Sequence, residues 1–176
     1  NVEGQNIYTI WYDKPASYWE EALPVGNGRI AAMVFGDPQL EQIQLNEETV
    51  SAGSPYQNYN EEAKTALPEM RRLIFEGKYE EAQNMAATKI LSQVGNEMPY
   101  QTVGRLNIRY QDHKKVNNYY RDLDISNAVA VTRYEVDGVE FTEETFASFT
   151  DQLGIRHIKA SKPGTINCEL FFNTPM

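Results

Sequence analysis

Amide, guanidinium and carboxylate side chains gather at two places in this chain, Ala22-Leu-Pro-Val-Gly-Asn-Gly-Arg29 and Gln44-Leu-Asn-Glu-Glu-Thr49. The candidate site residues are Asn27, Arg29, Gln44, Asn46 and Glu47. Such a set can exchange hydrogen bonds with the hydroxyls of a neutral ligand, or hold neighbouring loops in place, without taking part in bond cleavage. Gly26-Asn27-Gly28 tolerates positive φ and can turn the chain sharply into the apolar run Ile30, Met33, Val34 and Phe35. Antiparallel pairing of 29–35 with 40–46 about Gly36-Asp-Pro38 would return Asn46 and Glu47 to the side of Asn27 and Arg29. Taken alone, the same residues equally make a hairpin corner.

Other chemistry is harder to assemble. Two carboxylates flanking a sugar can run glycoside hydrolysis. The adjacent pairs Glu20/Glu21, Glu47/Glu48 and Glu143/Glu144, however, point to opposite sides of an extended chain. Each reads as a surface carboxylate, with Glu47 set apart by Gln44 and Asn46. His113, in the polar run 111–118, reads as a loop residue. His157, in phase with Leu153 and Ile155, reads as a hydrogen-bonded core or interface residue. Cys168 shares a strand face with Ile166, Leu170 and Phe172 and is expected to be buried and unreactive. There is no Gly-x-Ser-x-Gly elbow, and Gly26-Asn27-Gly28 lacks the further residues of a nucleotide site. Trp11, Tyr12, Tyr18, Trp19, Tyr56 and Tyr59 flank the glycine corner. Their rings suit sugar C–H faces, although packing is the plainer reading for both tryptophans.

With 176 residues the chain fits one domain, 1–176, with a real core. A net charge of -9, with scattered basic residues, argues against nucleic acid as a partner. No apolar run reaches the ~18 residues of a membrane span, and Asn1-Val-Glu-Gly-Gln does not read as a signal peptide. A single cysteine leaves no internal disulfide and no structural metal site, and no cofactor is expected.

Periodicity predicts a mainly β fold, an antiparallel sandwich with an inserted α-helical hairpin at about 61–92. Asn60 can cap a first helix carrying Leu67, Met70, Leu73 and Ile74, broken or restarted at Pro68 and stopped at Gly77. Tyr79, Ala82, Ala86 and Ile90 mark one face of a second. Leu106, Ile108 and Tyr110 then alternate as a half-buried strand. Asp137-Gly138 predicts one hairpin, and Lys162-Pro163-Gly164 a second joining Leu153/Ile155 to Ile166/Cys168/Leu170/Phe172.

Several segments carry a family resemblance. They are Trp11-Tyr-Asp-Lys-Pro-Ala-Ser-Tyr-Trp-Glu-Glu-Ala-Leu-Pro-Val-Gly-Asn-Gly-Arg29, Ala32-Met-Val-Phe-Gly36, Ile43-Gln-Leu-Asn-Glu-Glu-Thr49 and Met70-Arg-Arg-Leu-Ile-Phe-Glu-Gly-Lys-Tyr-Glu-Glu-Ala-Gln83. Tyr100-Gln-Thr-Val-Gly104, Tyr120-Arg-Asp-Leu-Asp124 and Phe146-Ala-Ser148 extend it over nearly the whole chain. Together they resemble the N-terminal domain of the glycoside hydrolase family 95 α-L-fucosidases. The resemblance implies a β-super-sandwich preceding an (α/α)6 barrel, an inverting hydrolysis whose catalytic residues belong to that barrel, a fucosylated glycan as substrate, and a secreted or periplasmic location. No catalytic residue carries over to this chain; the barrel of the same polypeptide is the implied partner. Val50-Ser-Ala-Gly-Ser-Pro55, Thr102 and Arg105 depart from the family pattern. A related α-L-galactosidase, a phosphorylase relative and a stand-alone carbohydrate-binding module are the other readings.

Overall fold

The computed structural model describes residues 8–52, 57–92 and 99–174. The chain divides into two compact units, Asn1–Val50 with Thr102–Met176, and Ser51–Gln101. The first holds ten strands: β1 Thr9–Tyr12, β2 Leu23–Gly26, β3 Ile30–Val34, β4 Leu40–Glu47, β5 Gly104–Tyr110, β6 Asn117–Asp124, β7 Val129–Val136, β8 Val139–Ser148, β9 Leu153–Ala160 and β10 Cys168–Asn173. They form two five-stranded sheets, ordered β1-β6-β7-β8-β9 and β10-β5-β4-β3-β2, with every pairing antiparallel.

Alternation explains how the sheets meet. In β7 and β8, Tyr134, Val136, Val139 and Phe141 turn inward and form one cluster. Leu23, Val25 and Val34 of the other sheet join Leu123 and Ala130 in a second. Asp137 and Gly138 both adopt positive φ, 48° and 72°, the geometry a two-residue loop needs to match the twist of its strands. The β7–β8 hairpin is therefore as the sequence predicts. The Lys162-Pro163-Gly164 segment is a turn with Gly164 at φ 76°, yet it closes no hairpin. β9 stays beside β8 while β10 pairs with β5, so the turn carries the chain from one sheet to the other. A turn signal specifies a reversal of direction and says nothing of the partner on the far side.

The second unit holds two helices, α1 Ala63–Phe75 and α2 Tyr79–Met85, the latter continued by a π turn at Ala86–Ile90. The Asn60 side chain accepts from the Glu62 N–H and donates to the Thr88 and Leu91 carbonyls, tying the first turn of the hairpin to its last. Pro68 lies inside a continuous α1 and does not break it. Only the Lys64 carbonyl, one turn before, loses its partner there, near the helix start where unpaired groups are tolerated. Gly77 ends α1 at φ 75°, its N–H and that of Lys78 returning to Ile74 and Leu73. Tyr79, expected on the packed face, is exposed, while Ala82 is buried. None of the described helices is long and apolar enough to cross a membrane.

Candidate functional site

The glycine corner and the end of β4 do meet. Ile30 pairs with Glu47 and Ala31 with Asn46. Gly28 takes φ 94° to make the turn. Asn27 then spends its side chain on architecture. Its Oδ1 accepts from the Arg29 and Ile30 N–H groups at 3.0 and 2.8 Å, and its Nδ2 donates to the Ser148 carbonyl at 2.8 Å. Asn27 thus pins the β2–β3 corner to the end of β8, bridging the two sheets.

Glu47 collects donors. Arg29 Nε lies 2.7 Å from its Oε1, and the Thr49 N–H and Oγ1 reach its Oε2 at 2.9 and 2.6 Å. Thr49 first and Arg29 second hold its carboxyl at about 2, well below the usual carboxylate range. A group ionised so firmly has no proton to give near neutral pH and is a weak base, so it serves neither side of acid–base catalysis. What it presents is a fixed negative charge beside the half-exposed Arg29 guanidinium.

Gln44 and Asn46 do not join this cluster by orientation. Side chains alternate along β4, placing Glu41, Ile43, Leu45 and Glu47 on one face and Gln44 and Asn46 on the other. Gln44 also sits mid-strand, between Met33 and Arg105, away from the corner. The corner thus gathers Asn27, Arg29 and Glu47 and leaves two of the five candidates on the reverse face.

Behind the corner, between the sheets, is a cavity of about 330 Å³. Its lining includes Ile43, Leu45, Asn46, Glu47, Leu106, Thr145, Ala147 and Arg156. The lining is overwhelmingly apolar, unlike a sugar subsite, which needs convergent hydrogen-bonding groups.

Arg156 lines that cavity and belongs to a buried ionic network. It contacts Glu41 Oε2 at 2.8 Å and Thr145 Oγ1 at 2.5 Å, and it pairs with Glu143. Glu41 and Glu143 are each 1% exposed and Arg156 8% by side chain. Glu41 Oε1 also accepts from the Gly36 N–H, and Glu143 Oε1 from Tyr134 at 2.6 Å. Tyr134 Oη lies 3.3 Å from His113 Nδ1, which contacts the Pro38 carbonyl at 3.0 Å. Burial drives the His113 pKa down, against the opposing pull of that carbonyl and Asp112, and drives the Tyr110 and Tyr134 hydroxyls up.

This network corrects the expectation of Glu143 as a surface carboxylate. Glu143 is buried because neighbouring strand residues face opposite ways. Glu144 takes the solvent side, with His157 and Lys159 each 3.2 Å away. His113 lies, as expected, in the loop between β5 and β6, yet it is buried, stacked on Tyr110 with ring centroids 4.3 Å apart. His157, expected in a core or interface, is exposed. The missed signal was phase, since Glu41 shares parity with Ile43, and Glu143 with Phe141. The tryptophans, expected to pack, are about half exposed, and Trp11 stacks on Tyr120 at 6.1 Å. Tyr59 is exposed and Tyr56 lies outside the described residues. Among the described residues no group of three or more His, Cys, Asp or Glu side chains is placed to hold a metal ion.

Residues 10–176 match a family model described as glycosyl hydrolase family 65, N-terminal domain. Among known proteins, the chain is 36% identical to alpha-L-fucosidase 2 of Arabidopsis thaliana over 99% of its own length and 21% of the relative's. It is 26% identical to the probable alpha-fucosidase A of Aspergillus niger and 24% identical to that of Aspergillus oryzae. Each alignment covers 87% of this chain, and 20% and 22% of those relatives. The chain thus spans about a fifth of the relatives it matches. The family number implied by the resemblance, 95, is not that of the matching family model. With a β-sandwich in hand and the match running over all but the first nine residues, this chain belongs to the glycosyl hydrolase family 65 N-terminal domain family.

Proposed function

We propose that the chain is the non-catalytic N-terminal part of an exported α-L-fucosidase that removes terminal α-L-fucosyl groups from glycans with inversion. The observation that carries this reading is the alignment of 99% of the chain with 21% of a relative named as an alpha-L-fucosidase. The chemistry of the site supports a scaffolding role. Inverting hydrolysis needs a protonated acid and a separate base on opposite faces of the sugar, about 6.5–9.5 Å apart. Glu47 is locked in its ionised form, and Glu41 and Glu143 are sealed against Arg156. The acid and base then come from a helical barrel elsewhere in the longer polypeptide. The Arg29–Glu47 pair holds that barrel's loops or edges its sugar site.

Turnover of 2′-fucosyl and aryl-fucoside substrates tests this, comparing the 176-residue chain with the full polypeptide of its reading frame. The full polypeptide should cleave and the chain should not. In the full polypeptide, Asn46→Ala and Glu47→Gln should lower kcat/KM while the protein stays folded at the assay temperature. Activity in the chain alone, abolished by Glu47→Gln, refutes the reading. A full polypeptide that prefers α-L-galactosides redirects it to that substrate.

The half-exposed Trp11, stacked on Tyr120, favours one other reading, a carbohydrate-binding module without chemistry. Fucosylated oligosaccharide binding by the isolated chain, lost in Trp11→Ala, would distinguish it.

A further inference from the structure

We infer that the outer face of the sheet β1-β6-β7-β8-β9 carries a second binding site, a track for an extended, neutral oligosaccharide, separate from the glycine corner. The inference concerns binding alone and holds whichever reaction the whole protein carries out. It begins with register. Trp11 pairs with Asp122, Asp122 with Val131, Val131 with Glu144 and Glu144 with His157, one row across the sheet. Tyr120, Arg133, Thr142 and Lys159 form the next row. Leu123, Ala130, Tyr134 and Phe141, of opposite parity, fill the core, so both rows face outward. The corner belongs to the other sheet, and its Asn27 reaches the end of β8, three strands or about 14 Å from β1.

The rows begin in rings and continue in paired ions. Trp11 is half exposed and stacks on Tyr120, with ring centroids 6.1 Å apart and planes 20° from parallel. The Arg133 guanidinium lies 5.9 Å from the Tyr120 centroid and donates to Asp122 Oδ2 at 2.8 Å. Farther along, Lys159 Nζ and His157 Nδ1 each lie 3.2 Å from Glu144 Oε2. Arg133, His157 and Lys159 are each about half exposed, so their donors also face solvent. One aspartate and one glutamate stand against one arginine and one lysine, and with His157 neutral the two rows carry no net charge.

A sugar chain fits both halves. The C–H face of one ring lies on the exposed indole, and the hydroxyls of the next rings exchange hydrogen bonds with carboxylate, guanidinium, ammonium and hydroxyl groups that already hold one another in place. These are the convergent polar groups that the apolar cavity lacks. At about 4.8 Å per strand, the five strands give a track about 19 Å long, room for about four sugar rings. Membership of a glycosyl hydrolase domain family makes carbohydrate the class of ligand at hand. A nucleic acid needs a surplus of positive charge, which the rows lack and the net charge of -9 opposes. A peptide strand would pair with the edge of β1 through its main chain and leave the rows uncovered. A second copy of the chain needs an apolar centre to its interface, and ion pairs stand where that centre would be.

Isothermal titration calorimetry of the full polypeptide of this reading frame with cellotetraose, mannotetraose and β-1,4-galactotetraose tests the inference. None of these carries fucose, so the outcome does not depend on the fucosidase assay above. At least one of the three should bind, and more tightly than its monosaccharide. Trp11→Ala should weaken that binding about tenfold. His157→Ala/Lys159→Ala, an exposed pair strands away from the rings, should weaken it about threefold and decides the matter should Trp11→Ala not fold by circular dichroism. Failure of all three tetrasaccharides to bind overturns the inference, as does binding that the folded variants leave unchanged. Tighter binding of tetragalacturonate also overturns it, because the face then selects acidic ligands. So does a dimer that both variants dissociate in sedimentation velocity, because the face then belongs to a second copy.

Discussion

Replacing Arg156 with methionine probes the centre of the sandwich directly. The side chains are of similar length, so the packing volume is kept while the only cation that contacts Glu41 and Glu143 among the described residues is removed. Each glutamate retains one donor, the Gly36 N–H for Glu41 and the Tyr134 hydroxyl for Glu143, and loses the guanidinium. Breaking a buried pair by deleting one partner costs about 3–5 kcal/mol, because an uncompensated charge remains in a region of low dielectric. In a protein of this size about 1 kcal/mol moves Tm by about 2–4 °C, so Arg156→Met should lower Tm by roughly 6–20 °C. Thermal unfolding by circular dichroism, with urea titration in parallel, measures the loss. Charge makes it expensive, so the deficit should narrow toward acid pH, and adding Glu41→Gln or Glu143→Gln to the variant should recover part of it. Arg72→Met is the control: that guanidinium contacts Glu69 and Glu76 in solvent, and its removal should scarcely move Tm. Tm changes of the same small size for Arg156→Met and Arg72→Met would refute the account of Arg156 as a buried counter-charge.

Three further outcomes are expected. Burial lowers the pKa of His113 in the folded protein, so between that value and the unfolded value near 6.5 the unfolded chain binds more protons. Stability should therefore rise with pH through this window and level off above it, and His113→Gln should flatten that slope in urea titrations. Gly36→Ala should destabilise by at least about 1–3 kcal/mol in thermal melts, since φ is 76° and the new Cβ would stand 2.8 Å from Tyr119 Oη and 2.9 Å from Arg121 Cδ. The Glu47 carboxyl should titrate at about 2 by carbon NMR and move toward the ordinary range in Thr49→Val. Its ionisation favours the fold above about 4.3, the unfolded value, an advantage lost as pH falls toward about 2.

Local signals in the chain were sufficient wherever the outcome depends on a few adjacent residues. The Asp137-Gly138 turn, the Gly77 helix stop and the pairing that carries Glu47 back to Arg29 all follow from φ preferences and period-two alternation within short spans. What tertiary structure alone decided is which surface each face would meet. Alternation put Glu41 and Glu143 in phase with apolar residues, but only Arg156, 115 and 13 residues away, makes their burial tolerable. Position 113 lies in a polar stretch, and only the approach of Tyr110, Tyr134 and Pro38 removes its ring from water. The turn at Pro163 was legible, while its sheet crossing was set by β10 finding β5, some sixty residues earlier in the chain. Cys168 and its neighbours carry the pattern of a buried strand face, yet Cys168 is only half-buried and Leu170 and Phe172 are exposed, because burial is a property of two surfaces and a strand's pattern states only one of them. Turn chemistry and pleat are written residue by residue; counter-charges and covering faces come from distant segments, whose pairing no short window contains.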